Sequence, residues 1–251
     1  MAGFQRSVNA YIAPGVKGGW ASANPHVSLL QANTGDLSEA ASGSWKVGTT
    51  GVIIGQFAFA DTVTGLVTSA NPGTGALFTE GASGQPGRVR VGFVQRDQVS
   101  LITAYLGENT SAMQPGFGVT LITRGDVFAQ FAAGAAIGSY VFASFADGSA
   151  IAGATSTPPT ATGVTVTTTN GSANLTAVAG GTLVPGQPVS GTGIPAGAYI
   201  VSVSGATAVL SANATAGGTN VALTQTTAAP TNYRVDSPAA AGDIAKISVW
   251  G

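Results

Sequence analysis

Short runs in which apolar and polar positions alternate occur along the chain. In the run 88–94 the two arginines fall on one side of an extended chain, and Val89, Val91 and Phe93 fall on the other. The run 244–249 alternates in the same way. Side chains that alternate with a period of two indicate β-strands with one buried face, so both runs are predicted to be strands.

Further runs rich in β-branched and aromatic residues predict strands at 52–59 and 117–122. The run 98–106 fits a helical face as well as a strand, and we favour a strand. Pro-Gly and Asp-Gly turns separate the runs. Many short strands with such turns between them are typical of an all-β sandwich or barrel.

The region 148–233 contains no charged residue, whereas all 9 Lys and Arg and all 10 Asp and Glu residues lie outside it. Gly and Pro turns also punctuate this region, and about five short strands can form a small sandwich or barrel. The candidate strands are 164–167, 199–203, 208–210 and 221–223.

Stretches of Ala, Thr and Pro at 154–160 and 226–230 resemble linkers and flank the uncharged region. The simplest interpretation is a small β module, residues 156–228, inserted into a host domain. The host domain is then discontinuous and comprises residues 51–155 and 229–251.

Residues 1–50 differ from both parts, because Pro and Gly interrupt them repeatedly while aromatic residues are spaced along them. These aromatic residues are Phe4, Tyr11, Trp20 and Trp45. Such an extended N-terminal arm either wraps its own domain or anchors on a partner, where Trp and Tyr are favoured contact residues. The sequence leaves both alternatives open.

The uncharged stretch 127–146 is long enough to span a membrane as a helix. Its Ala, Gly and Ser content and its acidic residue at each flank are not typical of a membrane helix. We predict instead two strands, at 127–131 and 139–145, and no membrane association. The N-terminal residues do not form an apolar signal sequence, so secretion is not expected.

Composition excludes several classes of chemistry. The chain has 0 Cys and 1 His, which excludes thiol catalysis, thiolate metal centres and disulfides. A net charge of −1 argues against nucleic acid as a partner, because duplex binding requires clustered Lys and Arg. The 44% hydrophobic content predicts a folded chain, since disordered chains combine low hydrophobicity with high net charge.

The single histidine, His26, offers at most a weak hydrolytic set with Asp36 and either Ser22 or Ser28. A surface histidine is the simpler interpretation.

Two aspartates are next to glycines in the chain. This arrangement is typical of turns and does not indicate a pair of catalytic carboxylates. They are Asp126 and Asp147. Residues 124–126 form an Arg-Gly-Asp tripeptide, which we interpret as a coincidence at a strand end. We therefore expect no enzyme activity, no cofactor and no metal site.

Residues 8–25, VNAYIAPGVKGGWASANP, resemble the opening of the structural cement proteins, also called capsid decoration proteins, of tailed bacteriophages. Later blocks resemble the same family: GFVQR at 92–96, LIT at 101–103, the stretch 115–126 and the closing strand 244–249. Within the uncharged module, the stretch 181–197 resembles a β module seen in phage virion proteins.

The resemblance implies a jelly-roll-like host domain that oligomerises, binds the outer face of an assembled capsid and clamps neighbouring major capsid protein subunits. A homodimer is expected, with a homotrimer as the alternative, made in the host cytoplasm and located on the virion surface. Phe4, Tyr11 and Trp20 are the expected capsid contacts of the arm. The first alternative is another virion β-protein, such as a tail-tube or fibre component; a carbohydrate-binding β-sandwich is the second.

Overall fold

The computed structural model describes residues 15–29, 45–77, 88–96 and 111–249. These residues form twenty strands and no helix, which confirms the predicted all-β class. Within the same ranges, no helix is long and apolar enough to cross a membrane.

The first twelve strands are β1 (Val27–Ser28), β2 (Trp45–Val47), β3 (Val52–Ile53), β4 (Phe57–Asp61), β5 (Leu66–Thr68), β6 (Val89–Val94), β7 (Ala112–Met113), β8 (Gly118–Val119), β9 (Leu121–Arg124), β10 (Val127–Gln130), β11 (Tyr140–Ser144) and β12 (Ala150–Gly153). The remaining strands are β13 (Thr160–Thr168), β14 (Asn174–Ala179), β15 (Val189–Ser190), β16 (Ile200–Ser204), β17 (Thr207–Leu210), β18 (Gly218–Thr226), β19 (Ala228–Val235) and β20 (Ile244–Ser248). They form a seven-stranded sheet (β1-β9-β6-β4-β5-β2-β8), a five-stranded sheet (β10-β20-β19-β11-β12), a six-stranded sheet (β15-β18-β13-β14-β17-β16) and the pair β3-β7.

The seven-stranded and five-stranded sheets share one core, in which they pack as a sandwich. Phe57 and Phe59 of β4 point into this core, whereas the alanines that follow them point to the opposite side of the sheet. Phe57 pairs with Phe93 of β6, and their ring centroids are 5.3 Å apart in an edge-to-face arrangement. Tyr233 of β19 contacts both rings from the five-stranded sheet. Aromatic residues from both sheets therefore hold the sandwich together.

A second core covers the other side of the seven-stranded sheet. Its largest member is Trp45, which is completely buried and donates its indole N–H to the carbonyl oxygen of Leu29 at 2.8 Å. Val47 is also buried, and Lys46 between them is exposed. The predicted arm, residues 1–50, thus contains an internal strand of this sheet, because Trp45 and Val47 follow the two-residue alternation of a strand.

Two of the predicted runs are divided in the structure. The run 52–59 is divided into β3 and β4 by a turn at Gly55, whose φ of 73° lies in the left-handed region that favours glycine. The run 117–122 is divided into β8 and β9. The first run therefore supplies strands to two different sheets, and the second supplies two strands that are not neighbours in the seven-stranded sheet.

Other predicted strands are found where the alternation placed them. The run 88–94 forms β6 and the run 244–249 forms β20. The stretch 127–146 forms the two strands β10 and β11, as predicted, instead of a membrane helix. The run 98–106 lies outside the described residues.

The six-stranded sheet closes on itself, and we call residues 160–226 the barrel. Its two outer strands meet where Pro188 lies opposite Tyr199, and the amide of Val189 donates to the carbonyl oxygen of Ala198 at 3.0 Å. The buried side chains inside form a separate core, all of whose members lie within the barrel. The four strands predicted in this region fall within or overlap β13, β16, β17 and β18.

The stretch 226–230, which resembled a linker, is strand at nearly every position. Thr227 alone separates β18 of the barrel from β19 of the five-stranded sheet. Its amide donates to the carbonyl oxygen of Pro159 at 2.9 Å, so the two chain crossings into the barrel lie side by side. Ala228 and Ala229 are completely buried, and small buried residues gave this strand the composition of a linker.

Candidate functional site

The segment 15–29 lies along the outer edge of the five-stranded sheet. Gly18 donates its amide to the carbonyl oxygen of Phe128 at 2.8 Å, and Trp20 forms an antiparallel bridge with Val127. The segment continues into β1, one of the two outer strands of the seven-stranded sheet. The segment 15–29 of the predicted arm therefore covers β10 of its own host, as in the first of the two alternatives left open by the sequence.

One buried carboxylate, Asp126, anchors this segment. It is 2% exposed and accepts hydrogen bonds from the hydroxyl of Ser22 at 2.6 Å and the side-chain amide of Asn24 at 2.8 Å. The ammonium group of Lys246 lies 3.4 Å from Asp126 and 3.2 Å from Asp236. The sequence places Asp126 in a turn but gives no signal for this anchor, because Ser22 is 104 positions away.

The Asp126 carboxylate is ionised at neutral pH. Burial acts to raise its pKa, but hydrogen bonds from the side chains of Ser22, Ser248 and Asn24 and the charge of Lys246 outweigh burial and hold the pKa below its ordinary value. Because this carboxylate is buried, the Arg-Gly-Asp tripeptide is not displayed as a whole. That burial supports its interpretation as a coincidence.

Four side chains along this segment are exposed or half-buried, and we refer to them together as the segment surface: Val16, Trp20, His26 and Val27. Val16 is 59% exposed and Val27 is 48% exposed. Trp20 is half-buried, packs against the main core of the host, and its ring centroid lies 4.3 Å from that of the exposed His26. The segment surface therefore presents apolar and aromatic groups on a backbone that is held by hydrogen bonds to β10.

Not every predicted site residue can be placed. The expected arm contacts Phe4 and Tyr11, and also Asp36, lie outside the described residues. The hydroxyl of Ser22 is bonded to Asp126 and not to His26, so the geometry does not assemble a hydrolytic set from these two. Across the described ranges, no group of three or more His, Asp or Glu could hold a metal ion.

A second ion pair lies on the host at the foot of the barrel. Arg88 donates two hydrogen bonds to the carboxylate of Asp61, at 2.7 and 2.8 Å. Burial acts to raise the pKa of Asp61, but the bonds from Arg88, the amide of Val63 and Thr74 outweigh it and hold the pKa well below its usual range. Arg88 also lies within electrostatic range of Tyr199 of the barrel.

A cavity of about 190 Å³ opens between β6, β9 and β19. Phe57, Ile122 and Tyr233 form its apolar floor, and Arg90 and Thr231 supply polar groups. The Tyr233 hydroxyl donates to the carbonyl oxygen of Ile122 at 3.4 Å, and burial raises the pKa of Tyr233. The described lining contains no carboxylate or imidazole that could form an acid–base pair.

Residues 4–179 match a protein family described as XM1 gp53 minor capsid protein. The match covers well over half of the chain, includes all three expected arm contacts and ends at the last residue of β14. No curated protein matches the chain.

Proposed function

Because the chain belongs to the XM1 gp53 minor capsid protein family, we propose that it is a cement protein, also called a decoration protein, on the outer surface of a phage capsid. Family membership alone makes it a phage capsid structural protein and a component of the virion. The finer role is to bind the assembled shell and to stabilise the contacts between neighbouring major capsid protein subunits. The family match is the observation that carries this proposal.

A purely structural role suits the architecture. The host sandwich has a core on each side of its seven-stranded sheet, so the backbone that carries the segment surface is well supported. A capsid offers many identical sites, and an oligomer gains affinity because its second contact forms at an effective concentration of about 1 mM. We propose a homodimer, with a homotrimer as the alternative, and no catalytic activity.

The proposed capsid contact is the arm, with Phe4, Tyr11 and Trp20 as its anchors. The hydrogen bonds of the segment 15–29 to β10 support this proposal, because they provide a fixed base for residues 1–14. Trp20 is partly occupied by its own domain, so Phe4 and Tyr11 carry the larger share of the proposed contact.

The direct test is deletion of residues 1–14. A longer deletion would remove the segment that covers β10 and would damage the host itself. We expect the shortened protein to remain folded and to lose co-sedimentation with undecorated shells. Unchanged sedimentation by the folded variant would contradict the arm as the capsid contact.

A matched pair of substitutions tests the segment surface separately. Val16→Asp places a charge on the segment surface, and Ile137→Asp places one at a similarly exposed position in the β10–β11 turn; the two side chains are 59% and 66% exposed. We expect Val16→Asp to weaken shell binding and Ile137→Asp to leave it unchanged. The reverse result would place the contact elsewhere on the host.

The barrel is proposed as an outward-facing accessory module of a host comprising the two sandwich sheets and the β3-β7 pair. Replacing residues 160–226 by a short Gly-Ser linker is expected to retain oligomerisation and shell binding, because the barrel core shares no member with the host cores. The tail-protein alternative predicts that the purified protein assembles into rings or tubes. A cement protein is expected to form small closed oligomers instead. Electron microscopy of the purified protein distinguishes these oligomers from rings or tubes.

A further inference from the structure

The barrel contacts the host a second time, beside its two chain crossings. The host loop at Asn71–Gly73 lies against the barrel turn at Pro185–Gly186 and against Val201 of β16. A Cβ atom built on Gly73 would collide with the carbonyl oxygen of Val201, and one built on Gly186 would collide with the side chain of Asn71. The two surfaces therefore approach each other so closely that neither position has room for a methyl group.

Each side of this contact is held in place by its own domain. Asn71 is 2% exposed, and its side-chain carbonyl oxygen accepts a hydrogen bond from the amide of Gly73 at 2.9 Å. The amide of Asn71 donates to the carbonyl oxygen of Phe145 at 2.9 Å. On the barrel side, the amide of Gly186 donates to the carbonyl oxygen of Ile200 at 2.6 Å. Each backbone is therefore fixed in its position by hydrogen bonds within its own domain.

Further contacts extend the same interface. Val184, next to the barrel turn, packs against the main core of the host. The Arg88–Asp61 ion pair on the host lies within electrostatic range of Tyr199 of the barrel. The interface thus combines close backbone approach with apolar packing.

We infer that the loop Asn71–Gly73 and the turn Pro185–Gly186 form a latch that fixes the orientation of the barrel on the host. The adjacent crossings at Pro159 and Thr227 alone would act as a hinge, and the latch opposes rotation about it. The barrel is then carried as a rigid projection and not as a domain on a flexible tether. This inference does not depend on the capsid role.

The chain supplies a matched control for testing the latch. Gly186 has a φ of 79° and Gly197 a φ of 77°, so Ala at either position meets the same backbone strain. A Cβ atom on Gly197 has nothing within 4 Å, whereas one on Gly186 meets Asn71. The difference between Gly186→Ala and Gly197→Ala therefore isolates the collision at the latch.

Opening is measured on the full-length protein by the rate of proteolysis within residues 154–159 and by the radius of gyration from small-angle scattering. We expect Gly186→Ala and Gly73→Ala to raise the cleavage rate at least about fivefold over Gly197→Ala, since overpacking favours the open state and cleavage follows its population. Both variants should also increase the radius of gyration. Amide-exchange protection in the barrel core should persist, because that core does not include the latch.

A double variant tests whether the collision is direct. Asn71→Ala removes the side chain that the new methyl group strikes, so the increase that Gly186→Ala causes should shrink in the Asn71→Ala background. Cleavage of Gly186→Ala at the rate of Gly197→Ala would overturn the latch. Strictly additive effects of Asn71→Ala and Gly186→Ala on the cleavage rate would also overturn the latch. So would a loss of amide-exchange protection in the barrel core of both Gly73→Ala and Gly186→Ala.

Discussion

The host sandwich and the barrel follow the same strand pattern but stabilise their edges in opposite ways. The host covers β10 with the segment 15–29 and fixes that segment by the buried carboxylate of Asp126. The barrel joins its own outer strands by backbone hydrogen bonds. A region without charged side chains has no Lys or Glu to protect an open edge, and closure of the sheet removes that edge instead.

The two regions also fill their cores differently. Aromatic rings from both sheets dominate the host core, whereas the buried barrel core consists of Val, Leu, Ile and Ala. The host core thus packs large aromatic side chains between two sheets, whereas the barrel core packs smaller aliphatic side chains inside one closed sheet. The comparison predicts two cores that respond separately to mutation.

The largest expected effects come from removing one large side chain in each core. Phe93→Ala should destabilise the host by about 3–5 kcal/mol, and Leu175→Ala should destabilise the barrel by about 2–5 kcal/mol, because each leaves a cavity. Amide exchange, followed region by region, should show each loss in its own core. Equal loss of protection in both regions after Leu175→Ala would show that the two cores unfold as one unit.

The next largest effect is expected from acid, which should lower the stability of the host but not that of the barrel. The pKa values of Asp61 and Asp126 are lowered in the folded host, so the stability they contribute is present above their unfolded pKa of about 3.9 and is lost as pH falls through the folded values. Residues 148–233 contain no Asp, Glu, His, Lys or Arg, so the barrel has no such dependence there. Amide exchange at pH 6 and in acid should show weakening of the host and unchanged opening free energy in the barrel core. A barrel that weakens in parallel would contradict this separation.

The strand pattern was predictable where it depended on local alternation. The runs that became β6 and β20 needed only the two-residue period, and the uncharged stretch 148–233 marked the region in which the barrel is found. The strand β2 was missed because Pro and Gly around it suggested an arm, although Trp45 and Val47 alternate about an exposed lysine.

The features that depended on distant partners were not predictable. The closure of the barrel joins Pro188, in turn-like sequence, to Tyr199 at the start of a predicted strand, and it depends on the curvature of the whole sheet. The role of Asp126 depends on Ser22 and Lys246, which lie far away on either side in the chain. Along the segment 15–29, the sequence predicted Trp20 as a contact residue but left open whether its own host or a partner holds it.

Asp126→Asn should have a smaller effect, confined to one end of the host. It keeps the shape of the side chain but removes a buried charge that holds Ser22, Asn24 and Lys246, and the expected loss is about 1–3 kcal/mol. Amide exchange should show faster opening at Gly18, while the barrel stays unaffected. Wild-type exchange at Gly18 would show that the backbone bonds alone hold the segment.

The smallest effect is expected from the same substitution at an exposed aspartate. Asp147 accepts hydrogen bonds from the amide of Ser149 at 3.0 Å and from its hydroxyl at 2.8 Å, and an asparagine oxygen can accept both. Gly148, with a φ of 72°, holds the turn whichever side chain precedes it. Asp147→Asn should therefore change the free energy of unfolding by less than about 0.5 kcal/mol, measured by denaturant titration beside Asp126→Asn. A loss as large as that of Asp126→Asn would mean that host charges stabilise the fold by their number and not by their burial.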